Sequence, residues 1–186
     1  MEADWAAEVG PDLPVIEADW PGLVDLRSDP QRVDAIPETA EHAAVRDALL
    51  QLNARDSPVR TTKCDVWTLT AHEIDPLEFG CAPGSELVGL ACYIDLVPVE
   101  PALFASFERH EAWARQAVKE MREAPSVAGR VDLVIRAARA AGGEGFAMTL
   151  YAAGCGADAA SAWASALRLA ATVTMRTATR ASSSTG

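Results

Sequence analysis

Three sets of residues in this chain have types and spacings suited to chemistry. The first centres on Cys155. In TLYAAGCGADAASAW, residues 149–163, a strand-like run ends in Gly-Cys-Gly and an alanine-rich helix follows at once. A cysteine at a helix N-terminus gains thiolate character from the helix dipole and the free N–H groups. A Gly-x-Gly turn from strand to helix can also cradle a phosphate. However, Asp158 stands where the N-cap belongs. Its carboxylate satisfies those N–H groups itself and repels a thiolate or a phosphate. The third glycine of the dinucleotide fingerprint is missing, and no parallel βαβ unit surrounds the turn. A tight turn with a capped helix is the leading reading, ahead of a nucleophilic Cys155 or an anion site.

The second set is Asp65, Asp95 and Asp132, each inside a run with strand alternation. In TTKCDVWTLT, Lys63, Asp65 and Trp67 point away from Cys64 and Val66. In LVGLACYIDLVPV, Tyr93 and Asp95 oppose Cys92, Ile94 and Leu96. In RVDLVIRAAR, Asp132 and Arg136 oppose Val131, Leu133 and Ile135, and in FAMTLYAA, Thr149 and Tyr151 oppose Met148 and Leu150. If the four runs share a sheet, one face is apolar. The other gathers Trp67, Tyr93, Asp132, Arg136 and Tyr151 beside Asp65 and Asp95. Aromatics supply contact area and charges fix orientation, which suits a binding surface. Paired aspartates do acid–base work where one is desolvated. The plain alternative is a solvated face with cross-strand ion pairs, partly covered by the N-terminal arm.

The third set offers metal-ligand types without metal-ligand spacing. FERHEAWAR places Glu108, His110 and Glu111 within one turn, but residue 114 is alanine where H-E-x-x-H needs histidine. AHEIDPLEF collects His72, Glu73, Asp75 and Glu78 without EF-hand spacing. Cys64, Cys81, Cys92 and Cys155 form no C-x-x-C pair and no disulfide framework. Cys64 and Cys92 lie inside strand-like runs and read as small buried hydrophobes. No metal and no cofactor are expected.

The elements that must position these residues follow from periodicity. Residues 1–36 hold Pro11, Pro14, Pro21 and Pro30 and show no sustained period, so they read as an irregular acidic arm. The arm carries EADW twice, ending at Trp5 and Trp20; tryptophans in such an arm anchor it to a body. A helix is expected from Pro37 to about Asn53, with proline at its first position and Val45, Ala48, Leu49 and Leu52 in a stripe. Strand, strand and helix then follow twice, the helices opening near Pro101 and Ala159. Both contain Ala-Trp-Ala and Met-Arg, a sign of internal duplication. The expected fold is α+β: a two-layer sandwich with a four-stranded, mainly antiparallel sheet built from two β-β-α units. Its helices cover one face, and an extra helix stands N-terminal. Residues 37–180 form that domain, and residues 181–186 are a disordered tail.

Composition bounds the role. The chain has 186 residues, 49% of them hydrophobic, enough to bury a core. Fourteen arginines against Lys63 and Lys119, with abundant alanine, read as the coding bias of a bacterial genome. The net charge is −11, and residues 1–56 carry thirteen acids against four arginines. Such a chain repels a phosphate backbone, so no nucleic-acid role is expected. The N-terminus is acidic, unlike a signal peptide, and no run is apolar enough for a membrane helix, so a cytoplasmic protein is expected. The expected role is a non-catalytic binding or accessory protein acting through protein contacts at the decorated sheet face. The alternatives are a small enzyme using Cys155 or the Asp65, Asp95 and Asp132 group, and a homo-oligomer that buries the face.

Overall fold

The structure, a computed structural model, describes residues 1–79, 88–124, 127 and 129–183. Cys81 and the second part of the loop expected between the first two strands of the sheet face, residues 80–86, lie outside the described residues. The class is α+β, with a six-stranded mixed sheet. Its strands are β1 (Glu2–Glu8), β2 (Ile16–Glu17), β3 (Val59–Leu69), β4 (Gly89–Pro98), β5 (Arg130–Ala140) and β6 (Gly143–Cys155). The main order is β1-β5-β6-β4-β3, and β2 pairs with β5 beyond β1. The four strands expected from sequence are antiparallel neighbours, β3 to β4, β4 to β6 and β6 to β5. The two further strands correct both the four-strand count and the irregular arm: β1 and β2 run parallel to β5.

The helices are α1 (Pro37–Glu41), α2 (Ala43–Leu52), α3 (Pro76–Phe79), α4 (Pro101–Ala105), α5 (Phe107–Glu123) and α6 (Ala159–Ser183). Two expected helices are broken. The first leaves helical geometry at His42, whose ring meets Trp163 edge-on at 5.5 Å. The second stops at Ser106, whose hydroxyl accepts the Arg109 amide and restarts the chain as α5. The last helix continues to Ser183, past the expected start of a disordered tail.

One face of the sheet carries Val131, Leu133, Ile135, Met148, Leu150, Cys92, Ile94 and Leu96, all fully buried against Trp113, Met121, Ala166 and Ala170 of α5 and α6 and Leu49 of α2. Period-two alternation in the strands and a 3.6-residue stripe in the helices meet in this core. The Trp113 indole donates to the Thr174 carbonyl at 3.0 Å and ties α5 to α6.

The arm is a strap. Ile16 and Ala18 bury against Ala138, Ala147 and Val97 on the opposite face. Next, the Trp20 indole donates to the Thr62 carbonyl at 3.1 Å, and Asp19 pairs with Arg60 at 2.7 Å. The chain then rounds the β3 edge, and Leu26 and Val33 enter the main core. On the way Arg27 donates to the carbonyls of Arg55, Ser57 and Val59. The strap thereby covers the N-terminal half of an edge strand whose unpaired groups would otherwise invite another chain.

Candidate functional site

The sheet face opposite α5 and α6 is covered at both ends and open between them. At one end lie Ile16, Ala18 and the strap. At the other, Ile74 and Phe79 pack on Leu69 and Ala91. Between them the pairing register sets Asp65, Tyr93, Tyr151 and Asp132 side by side across β3, β4, β6 and β5. The next row holds Asp95 opposite Thr149. The row on the other side holds Trp67, Ala91, Ala153 and Arg130.

The aromatic rings form a ladder. Trp67 and Tyr93 are 6.4 Å apart between centroids, and Tyr93 and Tyr151 are 6.2 Å apart, all in tilted geometry. Arg136 lies over Tyr151 at 5.8 Å. All three rings are half-buried, so each keeps a surface for a visitor. The two small residues Ala91 and Ala153 between Trp67 and Arg130 leave a trough of about 470 Å³, with Phe79 and Tyr151 also on its walls.

The aspartates expected as one group occupy three environments. Asp132 takes two bonds from Arg130, at 2.7 and 3.0 Å, and Arg130 also reaches Glu78. Asp65 is exposed, and one oxygen accepts the amide of Val66 at 2.8 Å. Asp95 is buried, 6% exposed, and accepts the Thr149 hydroxyl at 2.6 Å. Arg136 donates to the Thr149 oxygen at 3.2 Å and to Glu8 at 2.7 Å. A relay Glu8–Arg136–Thr149–Asp95 therefore runs across β1, β5, β6 and β4. Burial raises the Asp95 pKa; the Thr149 bond and the Arg136 and Lys63 charges oppose it.

Trp67, Tyr93, Asp132, Arg136 and Tyr151 are thus brought together, with Asp65 and Asp95. Cys155 is not a free thiol at this site. It is disulfide-bonded and buried at the covered end of the face, which corrects the nucleophile candidate. A disulfide persists in oxidising surroundings, so the cytoplasmic expectation draws no support from it. Asp158 accepts the Ser161 amide at 3.2 Å, as an N-cap does. Cys64 and Cys92 are free, and burial pushes both thiols up to about 12, leaving them unreactive. His110 is fully buried against Trp113 and Phe146 rather than facing a ligand. Among the described residues no group of three or more His, Cys, Asp or Glu is placed to hold a metal. None of the described helices is long and apolar enough to cross a membrane.

Sequence reasoning missed Arg130 and Glu8, and read Trp20 only as an anchor of the arm. Arg130 lies two residues before Asp132 and so shares its face, a signal that was present. Glu8 becomes visible only once the arm is placed. Comparison of the chain with known protein families, with curated proteins and with solved structures finds no match.

Proposed function

We propose that this is a non-catalytic binding protein that holds a protein partner on the open sheet face. The observation that carries the reading is the half-buried ladder Trp67–Tyr93–Tyr151 across three adjacent strands. Aromatic rings at the centre of a polar surface are the residues that dominate binding energy at interfaces. Asp65, exposed beside them, favours a partner segment carrying arginine or lysine, while Asp132 and Glu78 already pair with Arg130. The Asp95 relay reads as support for the floor of the surface. The buried Asp95, with its raised pKa, also favours a second reading, a proton-transfer enzyme with Asp95 as the acid or base.

The test is capture of partners from a lysate of the source organism by the tagged chain and by Trp67→Ala, read by mass spectrometry with circular dichroism as the folding control. A stoichiometric partner lost in a folded Trp67→Ala variant supports the reading. A partner retained by both proteins places the interface elsewhere and overturns it. Sedimentation over a wide concentration range separates the homo-oligomer alternative.

A further inference from the structure

A second cavity lies where the strap rounds β3. It encloses about 310 Å³, room for roughly ten water volumes and at the small end of ligand sites. Its apolar walls are Trp20, Val24, Ile36, Leu49 and the ring of Tyr93. They come from the strap, the entry to α1, α2 and β4, so the space exists only in the folded chain.

The cavity is built, not left over. The Trp20 indole is fixed by its bond to the Thr62 carbonyl. Gly22, at φ +111°, fits beneath that indole so closely that a Cβ there would meet Trp20 Cζ3 at 2.6 Å. On the facing wall, β3 shifts register between Thr61 and Cys64, and such bulges are frequent beside functional sites.

Its polar groups are unspent. Lys63 and Glu38 both line the cavity. Neither side chain has an ion-pair partner among the described residues, and the Lys63 ammonium only overlies the Trp20 ring, at 5.5 Å. Thr62 lines the same space, and its hydroxyl is buried without a hydrogen-bond partner. A native chain rarely leaves such a group unpaired without a reason.

These groups select by charge. Cys64, on the cavity wall, has a thiol pushed up chiefly by burial and then by the carboxylates of Glu38, Asp65 and Asp95. A simple anion in the cavity meets Glu38, and a simple cation meets Lys63. A molecule carrying both charges satisfies both sides, and its apolar body fits the walls.

We infer that the cavity binds a free α-amino acid with an apolar side chain, its carboxylate on Lys63 and its ammonium on Glu38. The site shares Tyr93 with the partner surface on the sheet face, but Trp67 does not line it. Trp67→Ala leaves it intact, so the two ideas fail separately.

The test is isothermal titration of the full chain with L-phenylalanine and L-leucine, and with phenethylamine and 3-phenylpropionate, which each lack one charge. The amino acids are expected to bind at least about tenfold more tightly than either analogue. Lys63→Met should abolish the preference over phenethylamine, and Glu38→Gln the preference over 3-phenylpropionate. No binding of either amino acid up to about 10 mM, or analogues that bind as tightly, overturns the inference.

Discussion

The turn Gly154-Cys155-Gly156 gives the sharpest stability prediction. A methyl group added at Gly154 would sit 2.3 Å from the Trp163 amide nitrogen, 2.7 Å from its Cα and 2.9 Å from the Ala162 carbonyl carbon. All three are backbone atoms of α6, so no side-chain rotation makes room. Ordinary contact begins near 3.4 Å, so α6 and β6 must part by about 1 Å in an interior packed as tightly as a crystal. Gly154 has no positive φ, so the cost of Gly154→Ala is contact alone. Overpacking typically costs about 1–3 kcal/mol, and a backbone clash belongs at the upper end. At about 3 °C per kcal/mol for a chain of this length, the melting temperature should fall by roughly 9 °C. Gly142→Ala is the control, since a Cβ there meets nothing within 4 Å and the backbone is not left-handed. That variant should melt within about 2 °C of the parent or slightly above it. The assay is thermal unfolding followed by far-UV circular dichroism. A Gly154→Ala protein that melts with the control would refute the reasoning, because α6 would then not press on β6 at this point.

Two titrations should also show in stability. His110 Nδ1 bonds the Ser106 carbonyl at 3.0 Å, while Nε2 is buried without a partner. Burial lowers its pKa, with the backbone bonds opposing, so the fold holds the neutral ring. Above about pH 6.5 both folded and unfolded chains are neutral there. As pH falls below that value the unfolded chain takes up a proton the fold refuses, and stability is lost. His110→Leu should flatten this acid limb of urea unfolding; an unchanged limb would show that the loss arises elsewhere. Asp95 has the opposite sign: its raised pKa means that stability is greatest in acid and is lost as pH rises through the carboxylate range. Asp95→Asn should be at least as stable as the parent at neutral pH and should lose that dependence. A variant that is clearly less stable at neutral pH would show that the carboxylate supports the fold through Thr149 and Arg136.

The strands of the open face were legible because alternation is a local signal. Val131, Leu133 and Ile135 read as core and are core, and Asp132 and Arg136 read as the other face and lie there. The arm was not legible, because its order comes from distant partners. Three acids among the seven residues of β1 disguise a strand that pairs in parallel with residues 130–136, far along the chain. The same separation hid the fate of the aspartates. Asp65, Asp95 and Asp132 look alike in sequence, yet Arg130, Thr149 and solvent give each a different environment.

Distance in sequence also explains where the unpaired groups collect. The sheet-face charges mostly find partners on their own or a neighbouring strand, Arg130 with Asp132 along β5 and Arg136 with Glu8 across to β1. Cross-strand neighbours satisfy one another wherever the ladder is regular. At the strap crossing the ladder breaks, between Thr61 and Cys64. There Lys63 and Glu38 line a cavity bounded by a glycine turn and an indole rather than another strand. A strap that served only to cover the β3 edge would need Arg27, Trp20 and their carbonyl bonds. Gly22 and the bulge beside it are what edge protection leaves unexplained, and a small ligand held between strap and sheet accounts for both.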